Sequence, residues 1–273
     1  DQAGFPSLLA TASTGRPDRC EIAELLLSYE ADIHQRGVND YTPLHLAAAR
    51  NDVGLIQVLL AHGADPNART RIDDFSTPLQ EAERAPFHDA ARILQQAMQQ
   101  LLGYFPKTTV LPAGWSASAN VKEICSVSNC INTAPEGWIE RWLHNGWGFF
   151  NSRSDAMSVA PQAGSFDVYA YRIWPRRYLP GAVEDLVVPP LSVEPIPAGF
   201  VSLGFDVVSK SVSSFFECSP LSCNGLAAET PVNSFCLLDG LEDAVAFAAR
   251  CAHEQPEPGA YYVVEVLREP GSD

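Results

Sequence analysis

The chain has 273 residues, enough for two domains with their own cores, and its 46% hydrophobic and 19% charged content is that of a globular protein. A formal charge of −15, with acids in excess along the whole chain, excludes a phosphate-binding stripe; it argues against nucleic acid and anionic membrane as partners and suits a basic protein patch better. No apolar run reaches the about 18 residues of a membrane span, the start lacks the pattern of a signal peptide, and seven thinly spread cysteines fit reduced thiols in a cytoplasm rather than a secreted disulfide scaffold.

In chain order, the first strong signal is TPLHLAAARNDVGLIQVLLAHGADPNA at 42–68. Thr42 can cap a helix with its hydroxyl, and Pro43 takes the first helical position, where a missing N–H costs nothing. Ala47 and Ala48 let a second helix approach closely; that helix carries Leu55, Ile56, Leu59 and Leu60 on one face, and Gly63 ends it. The unit recurs: LLLSYEADIH at 25–34 matches VLLAHGADPN at 58–67, and TPLQEAERAPFHDAARIL at 77–94 restarts the pattern.

A period of about 33 residues with a Thr-Pro-Leu-His start resembles the ankyrin-repeat family, over residues 1–103 and roughly three repeats. The middle repeat is nearly consensus. The first has FPSLLATA for the usual start, Glu30 stands where the family ends a helix with glycine, Gln80 replaces the histidine, and residues 71–75 lengthen the last finger. The resemblance implies a short all-α stack that binds protein without catalysis, through finger tips and inner helix face. On this sequence the finger positions are Val38, Asn39 and Tyr41 before the second repeat, and Arg69, Arg71, Asp73, Asp74, Phe75 and Ser76 before the third. The other reading of so short a stack is a structural cap for the second domain.

The helical pattern runs through LQQAMQQLLGYF and stops at Pro106, which sets a domain boundary near residue 104. The apolar LLGYF implies that the two domains share an interface. Residues 104–273 read as an α+β domain with an internal duplication, making the chain multi-domain. FFNSRSDAMSVA at 149–160 echoes LLDGLEDAVAFA at 237–248, and each is followed by an alternating strand, FDVYAYRIW at 166–174 and AYYVVEVLR at 260–268. Each half also holds Cys-Ser-x-x-x-Cys, and the order reads Cys pair, strand, helix, strand. The halves span about 121–175 and 203–270, joined by a connector whose six prolines from Pro175 to Pro197 suit an extended chain.

Three groups of residues carry candidate chemistry. Cys125, Cys130, Cys218 and Cys223 could hold zinc, close disulfides, or sit as buried duplicated thiols; a spacing of five and the absence of a following glycine favour buried thiols without metal. Trp138, Trp142 and His144 lie together in GWIERWLHNGWGFF, where i, i+4 aromatics and a histidine without a neighbouring acid read as core. Arg172 and Glu265 each share a strand face with apolar residues and read as a buried ion pair. The sharper alternative joins Arg172 and Glu265 to Ser211 in the Ser-rich VSKSVSS; that order is similar to ADP-ribosyltransferases of the Arg, Ser-x-Ser, Glu type and implies NAD as cofactor, though the family's Glu-x-Glu is absent. No Gly-x-Gly-x-x-Gly, Walker loop, His-Glu-x-x-His or Gly-x-Ser-x-Gly is present. The sequence therefore predicts an acidic cytoplasmic protein-binding module without cofactor. The alternatives are an NAD-dependent transferase and an inhibitor or immunity-type protein that neutralises a basic partner.

Overall fold

The computed structural model describes residues 7–72, 75–84, 88–108, 120–128, 144–159, 166–186, 191–211 and 216–269. It divides into two units, Asp1–Met98 and Gln99–Asp273. In the first unit the described residues form three consecutive helix pairs: α1 (Ser7–Ser13) with α2 (Arg19–Ser28), α3 (Pro43–Ala48) with α4 (Val53–Ala61), and α5 (Pro78–Arg84) with α6 (His88–Ala97). Inner helices stack as α1, α3, α5 and outer helices as α2, α4, α6.

Side-chain caps start α3, α4 and α5. Thr42 and His45 bond each other's backbone N–H at 3.4 and 3.3 Å, and Thr77 and Gln80 repeat the arrangement at 3.2 and 2.9 Å, so glutamine substitutes for histidine in the cap. Asp52 caps α4 through the Leu55 N–H at 3.2 Å and also receives the Arg19 guanidinium from the preceding repeat. Glu30, in place of the family's glycine, takes the left-handed backbone (φ 61°) after α2. Fully buried Ala47, Ala48, Leu55, Ile56, Leu59, Leu79, Ala82 and Leu94 form the seam between repeats.

The second unit is built on an antiparallel sheet of β1 (Gln100–Thr108), β2 (Phe166–Leu179), β3 (Ala182–Asp185), β4 (Val201–Lys210) and β5 (Ala260–Arg268). The order is β1-β2-β5-β4, with β3 pairing the far end of β2. Helix α8 (Leu241–Glu254) lies on the sheet, and its Phe247, Ala248 and Cys251 join Val207, Tyr261 and Val263 in one core. Alternation sends Tyr262, Val264, Val266 and Val208 to the opposite face, into a second core with Tyr104, Phe149, Phe150, Tyr169 and Tyr171. Short helix α7 (Arg153–Ser158) packs against β1 and β2.

Three expectations shift. The helix ends at Ala97, and LLGYFP belongs to strand β1 of the second unit, because its side chains are buried on both faces of a sheet. The first part of the proline-rich connector is the end of β2 and the β2–β3 hairpin. Pro175 fits there because the β2–β5 register breaks between Ile173 and Arg177, where no ladder N–H is needed. Each Cys-Ser segment follows a strand (β1 or β4) as well as preceding one (β2 or β5), so among the described residues the order is strand, Cys-Ser segment, helix, strand.

The same loop occurs twice. Asn145 Nδ2 donates to the Leu102 carbonyl at 2.8 Å while its Oδ1 accepts the N–H groups of Trp147 and Phe149 at 3.0 and 3.3 Å. Asn233 does the same with Leu203 at 2.8 Å and with Phe235 and Leu237 at 2.9 and 3.2 Å. Each loop then pairs in antiparallel fashion with the outer side of an edge strand, Phe150 with Tyr104 on β1 and Leu238 with Phe205 on β4. Gly103 and Gly204 make both approaches feasible. They sit at bulges with φ 138° and 130°, and a Cβ on Gly204 would stand 2.6 Å from the Leu238 carbonyl oxygen.

Candidate functional site

The first finger is set by a residue that the sequence pattern alone does not single out. Asp40 is buried, with a left-handed backbone (φ 59°) following that of Asn39 (φ 58°). Its carboxylate accepts Arg36 at 2.6 Å, the Arg71 N–H at 2.7 Å and the Arg71 guanidinium at 2.6 Å. Arg71 above all holds this carboxyl well below the usual carboxylate range. Arg36 also reaches the Arg69 carbonyl at 3.0 Å, so one carboxylate ties two successive fingers together. Alternating acid and arginine (Arg36, Asp40, Arg71) was the signal available for it.

On this base Val38 is 73% exposed, Phe75 55% and Ile72, which lies outside the expected contact positions, 47%. Asn39, Arg69 and Arg71 are exposed, and Tyr41 is half-buried with its ring stacked on His45 at 5.4 Å. Ser76 is a correction: it is buried, and its carbonyl receives the Thr70 N–H at 3.0 Å and lies 3.1 Å from His45 Nε2. A carbonyl only accepts, so Nε2 carries the imidazole proton, and burial holds His45 neutral by lowering its pKa. Ser76 thus floors an open depression of about 400 Å³, lined also by Gln80, Glu83 and Arg84. Asp73 and Asp74 lie outside the described residues.

In the second unit Arg172 and Glu265 face each other across β2 and β5 and bond at 3.2 Å. The pair forms at the water boundary instead of in the core, since the Arg172 side chain is 38% exposed. Losing either partner (Arg172→Met or Glu265→Gln) is therefore expected to cost about 1 kcal/mol or less. Urea unfolding followed by tryptophan fluorescence checks this; a loss of several kcal/mol would show a desolvated pair. Ser211 is not brought to them. It follows the end of β4, about 20 Å along the strand from Phe205, which is the partner of Glu265, and its hydroxyl donates to Glu217 at 2.8 Å.

The Cys-Ser segments do meet, through their serines. Asp206 on β4 is fully buried; Ser126 Oγ and the Val127 N–H donate to its Oδ2 at 2.7 and 2.9 Å, and Ser219 Oγ donates to Oδ1 at 2.6 Å. Burial raises its pKa, against these donors and the nearby Lys107 ammonium, which lower it. The Lys107 Nζ donates to the Ser126 carbonyl and lies over the Tyr171 ring at 5.2 Å. One thiol bridges the two segments as well. Cys125 Sγ lies 3.6 Å from the Tyr169 hydroxyl, while Cys223 Sγ lies 3.3 Å from Ser128 Oγ. Cys218 is half-buried, and Cys130 lies outside the described residues, as do Trp138 and Trp142. Among the described residues no three Cys, His, Asp or Glu side chains gather around a common metal position. His144 is half-buried, with Nδ1 2.9 Å from the Asn145 carbonyl.

Comparison with known proteins bears on the first unit. The family model for the ankyrin repeat matches residues 39–71, and this stretch is an ankyrin repeat. The chain is 40% identical over 65 residues to the human protein "Ankyrin repeat and SOCS box protein 6", covering 23% of this chain and 15% of that one. It is 44% identical over 46 residues to "Delta-latroinsectotoxin-Lt1a" of Latrodectus tredecimguttatus, covering 17% and 4%. It is 37% identical over 59 residues to mouse "Protein phosphatase 1 regulatory subunit 27", covering 22% and 38%. The chain thus spans well under half the length of each of these relatives. Among the described residues no helix is long and apolar enough to cross a membrane.

Proposed function

We propose that this protein binds another protein through the finger loops of its ankyrin repeats, without catalysis. The observation that carries the reading is the exposure of Val38, Ile72 and Phe75 on loops fixed from beneath by Asp40. Large apolar side chains facing water on a preset backbone lose little further freedom on binding, so their burial contributes to affinity. The similarity to a phosphatase regulatory subunit supports an interaction role. We further propose a partner with a basic patch, on the strength of the −15 charge, and a reducing, cytoplasmic setting, on the strength of the buried thiols of Cys125, Cys236 and Cys251, each raised by burial to about 12. An inhibitor of a basic partner would use the same surface.

Val38→Asp combined with Phe75→Asp is expected to weaken capture of the partner by at least about tenfold, with the thermal melt unchanged. Parallel pull-downs with parent and variant measure this; the same proteins retained equally by both would overturn the finger reading. Capture should also weaken with added salt if the partner is basic.

Within the second unit we read the two asparagine loops as relics of a duplication. The repeated bonding of Asn145 and Asn233 supports this, as do the matching bulge glycines and the strand–loop–helix–strand order. We propose that no metal joins the cysteines. Elemental analysis of the purified protein should give well under one zinc per chain, and stoichiometric zinc would refute this. Arg172 and Glu265 are engaged with each other and Ser211 lies far along the strand, so no NAD site is proposed on these three.

A further inference from the structure

Helix α8 carries a stripe that its packing on the sheet does not use up. Asp243, Ala246, Phe247 and Arg250 recur at i, i+3, i+4 and i+7, which places them on one face of the helix. The loop through Thr230 and Pro231 runs beside that face, and Leu238 lies beneath. Together they line an open cleft of about 310 Å³, at the lower end of the range for small-molecule sites. Phe247 and Leu238 are buried and give it an apolar floor.

The two ends of the cleft carry opposite charges. Asp243 and Arg250 are both exposed, and neither forms an ion pair among the described residues. Arg250 is nonetheless held in place. Its Nη2 donates to Thr230 Oγ1 at 2.9 Å, and its guanidinium carbon stands 4.8 Å from the centre of the Phe247 ring. These contacts fix a side chain that would otherwise lose much freedom on binding, and they leave most of its N–H fork for an anion. The Asp243 carboxylate leans back toward Gly240, where a Cβ would stand 3.3 Å from its Oδ2. With the guanidinium leaning back over Phe247, the two charges stay about 10 Å apart along the helix axis.

We propose that this cleft binds a zwitterionic dipeptide with apolar side chains. The ligand's ammonium meets Asp243, its carboxylate takes the Arg250 fork, and its side chains cover Phe247, Leu238 and Pro231. Length favours two residues. A single amino acid with a hydrogen bond at each end spans about 8–9 Å and falls short, whereas a second residue adds up to about 3.5 Å. Charge favours a zwitterion, because a ligand without net charge is not repelled by a chain of formal charge −15. The cleft belongs to the second unit, so the proposal does not depend on the finger loops.

The test titrates the full-length protein with the dipeptide Leu-Leu in an isothermal calorimeter. One-site binding that saturates below about 10 mM is expected, weakened about tenfold by acetylating the amine or amidating the carboxylate. Gly-Gly, which lacks the apolar side chains, and free leucine, which is too short, should each bind at least about tenfold more weakly. Arg250→Gln should bind Leu-Leu and its amide alike, and Asp243→Asn should bind Leu-Leu and its acetylated form alike. Both side chains are exposed, so these variants should melt with the parent. A titration that does not saturate by about 10 mM would overturn the proposal. So would leucine or Gly-Gly binding as tightly as Leu-Leu, or variants that keep the parent's preference for both free ends.

Discussion

Asp206→Ala is expected to destabilise the second unit by about 3–5 kcal/mol, several times the cost of losing the Arg172–Glu265 pair. The carboxylate is fully buried and is the common acceptor for Ser126 Oγ, the Val127 N–H and Ser219 Oγ. Truncation takes the shared acceptor from all three donors in a place that water does not reach, and it removes the charge opposite Lys107. Asp206→Asn keeps the volume and one acceptor, and should cost about half as much. All five tryptophans fall between residues 115 and 174, beyond the helical repeats, so urea unfolding followed by tryptophan fluorescence reports this unit. A midpoint for Asp206→Ala close to that of the parent would show that the two Cys-Ser segments are held by something else.

The second large effect is a gain in stability of about 2 kcal/mol between pH 7 and pH 9 in the parent relative to Lys107→Met. Burial lowers Lys107 from its ordinary value to about 7, so across this interval the unfolded chain binds a proton that the folded chain has lost. Unfolding then becomes harder as pH rises, and the gain would continue until the unfolded lysine itself titrates. Above about pH 9 the buried thiols of Cys125, Cys236 and Cys251 act in the opposite sense, because the folded protein keeps their protons up to about 12. The curve should therefore climb, flatten and fall. The same fluorescence measurement, repeated across pH on both proteins, checks it; parent and Lys107→Met curves that run parallel from 7 to 9 would mean that Lys107 stays charged.

The ankyrin repeat at 39–71 and the helix pairs stacked on it were legible because their determinants are local. Thr42 and His45 are three residues apart, as are Thr77 and Gln80, and helix starts and seam alanines can be read along one short window. The strands FDVYAYRIW and AYYVVEVLR were legible by alternation, and the pairing of Arg172 with Glu265 followed from their charges on apolar faces. LLGYF misled because four apolar residues around a glycine continue a helix or form a buried strand equally well. Asp206 stayed hidden because its partners lie 80 and 13 residues away, and nothing near it in FDVVSK shows that two distant serines converge there. The paired Cys-Ser-x-x-x-Cys segments drew attention to sulfur, whereas the buried carboxylate joins them through the adjacent hydroxyls, and one thiol, Cys223, adds a contact to Ser128. Asp40 stayed hidden for a related reason: its neighbours Asn39 and Tyr41 matched contact positions of a family, while its own role depends on arginines contributed by two fingers.

The asparagine loops have a consequence for how this protein meets others. An antiparallel sheet normally ends in two strands with unspent backbone N–H and C=O groups, an invitation to any extended segment, including another copy of the same sheet. Here Phe150 occupies the outer side of β1 at Tyr104 and Leu238 that of β4 at Phe205, each by two backbone bonds of 2.8 to 2.9 Å. Both borders are shut at mid-strand by the chain's own loops. A peptide seeking to add itself along the middle of β1 or β4 would first have to dislodge a loop anchored by asparagine. At these two edges the same closure stands against edge-to-edge pairing of two copies when the protein is concentrated.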